Sequence, residues 1–209
     1  MAEIRLHACR QEALTAIFPL AFPRRFAIMR SLPGSPGCPI RAESRAGKKL
    51  AYMKDDDYWM GLALQAASKA GLRNEVPIGA VIVRDGKVLG SGYNLRESRQ
   101  DPAAHAELIA IRRAAQRTRN WRLTGATLYV TLEPCIMCMG ASILARIDRL
   151  VYGCPDPKAG AAGTLYDLSC DSRLNHRFIV ESGVRGAECA ALLSDFFREL
   201  RQRKKKAGL

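Results

Sequence analysis

Two short segments constrain this chain more than any other feature: His105-Ala106-Glu107 and Pro134-Cys135-Ile136-Met137-Cys138. Each stands where turn-type sequence gives way to an apolar pattern at helical spacing, so each is read as a helix start. Cysteines three apart on a helix project from one face, and a helix N-terminus favours the thiolate, so Cys135 and Cys138 can close on one metal ion. A fold that brings His105 beside them completes three N/S ligands and leaves a fourth tetrahedral position for water. That is the arrangement of a catalytic zinc site rather than a closed structural one. Zinc brings the pKa of such a water toward about 7. Glu107 then has a task as general acid and base: it takes the water proton and returns it to the substrate.

Either half alone would carry little. A lone Cys-x-x-Cys fits a redox pair or half of a zinc ribbon, and His-x-Glu recurs by chance. Here both halves occur in chain order with a strand-length segment between them, and the sequence holds no second Cys-x-x-Cys. The other chemistry-bearing residues receive blander readings. Cys9 and Cys38 fall in the N-terminal tail, while Cys154, Cys170 and Cys189 are expected to pack as small hydrophobes, Cys154 near the site. His7 and His176 are expected at the surface or in ordinary hydrogen bonds, and Trp59, spaced with aliphatics, in the core.

A chain of 209 residues is long enough for one well-buried domain and too short for two ordinary ones. Seven cysteines in a chain this rich in Lys, Arg, Asp and Glu do not form a dense disulfide framework, and a reducing compartment fits them better. Charge or proline interrupts every apolar stretch before the roughly 18 residues of a membrane span, so a soluble protein with no membrane partner is expected. The net charge of +13, from 33 basic and 20 acidic residues, suits a polyanionic partner and equally suits a solvated basic surface.

Residues 1–52 stand apart as a basic extension, with Pro19, Pro23, Pro33, Pro36 and Pro39 breaking any long helix. Three readings compete for it: a disordered arm, a targeting peptide, or upstream sequence before a true start at Met53. The segment that carries the zinc motif is then residues 53–209. Its pattern predicts a helix after Asp55-Asp56-Asp57 that stops at Gly71, and a hairpin of Ile78–Val83 and Lys87–Tyr93 around Asp85-Gly86. A helix over Pro102–Ala115, a strand over Ala126–Thr131 and a helix over Cys135–Ala145 follow. Next come a strand over Arg149–Tyr152, a glycine-rich loop over Gly153–Gly163, a strand near Phe178–Val180 and a helix from about Glu188 into the basic end. This alternation points to an α/β sandwich with helices on both faces of one sheet.

The paired motif is the signature of zinc-dependent nucleobase deaminases. The wider sequence resembles the bacterial tRNA-specific adenosine deaminases in Glu75–Val81, Gly92-Tyr93-Asn94, Asp101–Glu107, Thr127–Cys135, Asp156–Gly163 and Glu188–Arg198. The resemblance implies a three-layer α/β/α cytidine-deaminase-like fold with a central mixed five-stranded sheet, one zinc ion per subunit and a homodimer. It implies hydrolytic conversion of the wobble adenosine in a tRNA anticodon, usually an arginine tRNA, to inosine. It also implies that Asn94 hydrogen-bonds the flipped-out base, that Asp156 and Lys158 contact ribose and phosphate, and that backbone around Cys135 helps to hold the attacking water. A cytoplasmic location goes with the bacterial family, and organelle import remains the alternative that residues 1–52 leave open.

The basic run Arg198, Arg201, Arg203, Lys204, Lys205 and Lys206 fits a solvated tail and is read here as a contact to RNA phosphates. Two rival functions stand beside this reading: deamination of a free base or nucleoside such as guanine or cytidine, and a noncatalytic RNA-binding subunit. A basic tail and a phosphate-contacting loop count against the first, and the presence of Glu107 counts against the second.

Overall fold

A computed structural model of the chain describes residues 55–208; the extension, Met53, His7, Cys9 and Cys38 lie outside the described residues. Runs of apolar residues build five strands: β1 (Gly79–Arg84), β2 (Lys87–Tyr93), β3 (Thr127–Leu132), β4 (Arg149–Cys154) and β5 (Ile179–Ser182). They form one mixed sheet in the order β2-β1-β3-β4-β5, antiparallel where β1 meets β2 and β3 and parallel from β3 through β5. The β1–β2 turn is Asp85-Gly86, both at positive φ, with Arg84 opposite Lys87. That is the mirror-image turn whose twist suits a hairpin.

Alternation of side chains splits the core between the two faces of the sheet. On one face Val81, Val83, Tyr129 and Val151 pack against Trp59, Met60 and Ala63 of helix α1 (Asp56–Gly71) and Cys189 of helix α5 (Gly186–Lys206). On the other, Ala80, Ile82, Leu128, Val130 and Leu150 pack against the alanines of helix α3 (Ala106–Thr118) and Met139 and Ile143 of helix α4 (Ile136–Ala145). The result is the three-layer α/β/α arrangement expected. No helix among the described residues is long and apolar enough to cross a membrane.

Two contacts fix the layers closely. A Cβ at Gly90 or Gly92 of β2 would collide with the carbonyl oxygens of Ala110 or Ala106, so α3 lies directly against the edge strand. At the start of β4, Arg149 donates to Asp56 Oδ1 and Oδ2 at 2.8 and 2.6 Å and to Glu181 Oε1 at 3.0 Å, and the Tyr129 hydroxyl donates to Asp56 at 2.7 Å. This cluster ties α1, β3, β4 and β5 together at one end of the sheet.

Several boundaries differ from those expected. The helix predicted over Pro102–Ala115 begins at Ala106 and ends at Thr118. Residues 101–105 instead form a turn, in which Asp101 accepts the Ala103 amide at 2.8 Å and His105 is the extended N-cap. Proline at the first helical position was the expected signal, but the Asp101 side chain competes for the backbone and holds the chain outside the helix. Strand β4 runs on to Cys154, so the glycine-rich loop starts later than Gly153, and α5 starts at Gly186. A four-residue helix, α2 (Arg96–Arg99), had no periodic signal to reveal it.

Candidate active site

The helix starts converge at the carboxyl ends of β3 and β4, the edge of an open α/β sheet where ligands bind. His105 is the N-cap of α3 and Cys135 the N-cap of α4, and both have extended backbone before the helix begins. His105 Nδ1 lies 3.7 Å from Cys135 Sγ and 3.5 Å from Cys138 Sγ, and the three donor atoms all fall within 4.8 Å of one another. Tetrahedral zinc with ordinary Zn–S and Zn–N bonds needs its ligand atoms about 3.5 to 3.8 Å apart, so the His–Cys spacings fit that ion. The donor chemistry fits as well. The hydrogen bond from Cys138 and the neighbouring His105 ring pull the Cys135 thiol down to about 3, while that same hydrogen bond and burial push Cys138 up. Thiolate character at Cys135 beside the Cys138 thiol suits a divalent cation, which would take both sulfurs as thiolates.

Glu107, in the first turn of α3, is buried at the same place. Burial pushes its carboxyl above the ordinary carboxylate range. Asn94, buried just after β2, accepts the Ala106 amide at 3.2 Å through Oδ1, which caps α3 and fixes the plane of its carboxamide. Glu107, Asn94, His105 and Cys135 line a cavity of about 880 Å³. That volume lies within the range of small-molecule sites and leaves room for a nucleotide.

The opposite wall is the loop after β4. Asp156 is half-buried and its Oδ1 accepts the amides of Lys158 and Ala159 at 2.9 and 3.3 Å, so its first task is to shape the turn. Lys158 is exposed on the cavity rim. All seven residues singled out in sequence therefore meet at one site, six of them lining the cavity and Cys138 buried behind it as a candidate metal ligand. From the basic run only Arg201, with Phe197 one turn earlier on α5, lines this cavity. Arg203 donates to Asn74 at 2.8 Å and pairs with Glu199.

Sequence reasoning missed Arg96, a cation on the cavity wall, and two buried acids. Glu75 accepts the amides of Glu97 and Ser98 and the Ser98 hydroxyl at 3.1, 2.7 and 2.7 Å, fixing α2 beside the cavity. Burial raises its pKa, and the hydrogen bonds from Ser98 and Glu97 more than reverse that, leaving it below the ordinary value. Glu133 accepts from the loop after β4. The one signal for either was an acid against an apolar strand, which sequence alone reads as exposed. The blander readings match the structure: Trp59 is core, His176 Nε2 donates to the Ile147 carbonyl at 2.6 Å, and burial pushes Cys189 up to about 12. Cys154 is buried and also borders the cavity.

Comparison with known proteins agrees with this geometry. Residues 53–154 match the family described as "Cytidine and deoxycytidylate deaminase zinc-binding region". A tRNA-specific adenosine deaminase of Bacillus subtilis (strain 168) is 50% identical over 155 residues, covering 74% of this chain and 96% of that protein. One from Streptococcus pyogenes (serotype M18) is 46% identical over 155 residues, covering 74% and 98%. A solved structure from a study of A-to-I editing by tRNA:A34 deaminases at the wobble position of transfer RNA superposes with a TM-score of 0.63 at 46% identity, covering 65% of this chain and 99% of that one. The helix-start ligands, the buried acid beside them and this degree of identity lead to one statement: the chain belongs to the tRNA-specific adenosine deaminase family.

Proposed function

We propose that this chain hydrolyses the wobble adenosine of a tRNA anticodon, with an arginine tRNA as substrate, to inosine and ammonia. The observation that carries the reading is the buried Glu107 beside the His105, Cys135 and Cys138 donor set at the wall of a nucleotide-sized cavity. Zinc held by these three residues supplies the Lewis acidity that makes water a nucleophile near neutral pH. Glu107 accepts a proton from the attacking water and delivers it to the ring nitrogen next to the amine-bearing carbon. It then carries a second proton to the amine, so that the C–N bond breaks with loss of neutral ammonia. Its burial suits this shuttle, since a raised pKa lets one carboxyl both accept and return a proton.

Asn94, already oriented by its bond to Ala106, hydrogen-bonds the base, and Asp156 and Lys158 meet ribose and phosphate. Bases in an anticodon loop are already unstacked, which removes most of the cost of extruding one. Arg96 and Arg201 add cationic charge around the same cavity. A cytoplasmic location accompanies this substrate. The chain acts as a homodimer, a reading supported by the exposed apolar side chains Ile136, Met137 and Leu144 on α4, which a second copy would cover. Sedimentation tests it: a monomer at micromolar concentration excludes it.

The deciding experiment measures inosine in an arginine-tRNA anticodon stem-loop with adenosine at the wobble position, against free adenosine, cytidine and guanine. Inosine in the stem-loop alone supports the reading. Turnover of a free base or nucleoside alone removes the tRNA assignment and keeps the chemistry, and RNA binding without turnover replaces the enzyme with a binding subunit.

A further inference from the structure

Glu133 follows the end of β3, two residues before the ligand Cys135, and is only 2% exposed. Its carboxylate faces the loop after β4. Oε1 accepts the amides of Ala162 and Thr164, both at 3.0 Å, and Oε2 accepts the Asp156 amide at 3.1 Å and the Thr164 hydroxyl. All four donors are neutral. Both oxygens are used as acceptors, which neither a glutamine nor an apolar residue could provide at both positions. This acceptor pair registers the loop, which has no helix, one isolated bridge of its own between Ala162 and Asp167, and one from Gly160 to Cys135.

The segment 133–135 acts as one fixture. Glu133 holds the loop from inside, Pro134 accepts the Ala161 amide at 2.9 Å, and Cys135 is bridged to Gly160. Gly160 has no room for a side chain, since a Cβ there would collide with the Glu133 carboxylate. The wall bearing Asp156 and Lys158 is therefore set against the donor atoms of the metal site through three consecutive residues.

We infer that Glu133 is a positioning residue for the deamination reaction: its anion registers residues 156–164 against the Cys135 side of the site and so fixes the wall that receives the nucleotide. The inference rests on the deaminase reading above. Glutamine cannot replace the anion, because its NH2 group would face one pair of donors whichever way it is turned. Glu133→Gln should keep its zinc and raise KM for the stem-loop by roughly tenfold or more, with a smaller fall in kcat, as expected when binding contacts are displaced. Hydrogen exchange should quicken at the amides of 156, 162 and 164 and stay unchanged in β1 and β3. Thr164→Val, which removes one donor and leaves the ligand segment intact, should raise KM in the same direction by about 2- to 5-fold. It carries the test if the first variant does not fold.

Inosine formation by the unaltered chain is measured first, so a failure of the functional reading appears there and not in the variants. Even then the exchange pattern judges Glu133: exchange that is unchanged, or quickened evenly along the chain, overturns the inference. With an active enzyme, an unaltered KM in a folded, zinc-loaded Glu133→Gln or Thr164→Val also overturns it.

Discussion

The two walls of the cavity are built on opposite principles. The wall with His105, Glu107 and Cys135 is made of helix starts, each closed onto the sheet by regular packing and by local caps such as Asn94 on Ala106. The wall with Asp156 and Lys158 is irregular chain held from the segment 133–135, by the buried Glu133 carboxylate and by backbone contacts at Pro134 and Cys135. Helix N-termini present amides and favour anionic donors in fixed directions, so they suit groups that must meet within a few tenths of an ångström. A loop of this kind takes its register from one short segment rather than from a helix or strand of its own. The candidate metal ligands and Glu107 therefore sit on regular elements, and the opposite wall of the cavity sits on irregular chain.

The largest effects should fall on the helix wall. Cys135→Ala removes a donor at the N-cap of α4, and zinc content should drop from one per chain to a small fraction, with inosine formation lost and stability reduced, since metal binding is coupled to folding. Full zinc occupancy in that variant would show that another residue is the ligand. Glu107→Gln separates ligation from proton transfer. It should keep zinc and bind the stem-loop, while kcat falls by about 10² to 10⁴, the usual worth of a general acid–base. A variant within a few-fold of the parent would remove Glu107 from the mechanism.

The same contrast explains what could be read from the sequence. His105, Glu107, Cys135 and Cys138 were legible because helix-start signals and metal chemistry both act over three or four residues. The layered α/β arrangement followed less directly, through alternation and, for the mixed five-stranded sheet, through the wider resemblance; the strand order came only from the structure. Glu75 and Glu133 were not legible, because each is satisfied by donors more than 20 residues away that nothing local announces. The misplaced start of α3 has the opposite cause: Asp101-Pro102 is a strong local signal, and an Asx turn at Asp101 uses it to hold His105 in its extended cap. Asp156 shows why a residue's role was only half visible, since its side chain shapes its own turn before it can meet a ligand.

If the helix wall depends on close packing, one added carbon behind it should matter. Gly92→Ala puts a methyl group against the Ala106 carbonyl, backbone that cannot swing aside, at the turn of α3 that carries Glu107. Overpacking of this kind costs about 1 to 3 kcal/mol. Displacement of the shuttle should lower kcat by roughly 10², the scale of a misplacement near 1 Å. The check is thermal unfolding together with turnover. Unchanged turnover despite a lowered Tm would mean that α3 shifts as a body and that its register against β2 does not position Glu107.

The smallest effect belongs at the far end of β4, where the Asp56–Arg149–Glu181 cluster is remote from the cavity and holds layers rather than substrate. The hydrogen bond from Arg149 holds the Asp56 carboxyl below its ordinary value, against the opposing pull of burial. A carboxyl whose folded pKa is depressed stabilises the fold at every pH above its unfolded value near 3.9. That contribution disappears as pH falls through the lower folded value. With side chains 24% and 31% exposed, Arg149 and Asp56 should be worth no more than about 1 kcal/mol after solvent screening. Asp56→Asn should therefore be slightly less stable than the parent at pH 6, and the two unfolding free energies should converge over the interval below about pH 4. Parallel curves over that interval would place the acid sensitivity elsewhere. Altered turnover at pH 7 would mean that the scaffold end and the catalytic end of the sheet are coupled, which the separation of the two clusters argues against.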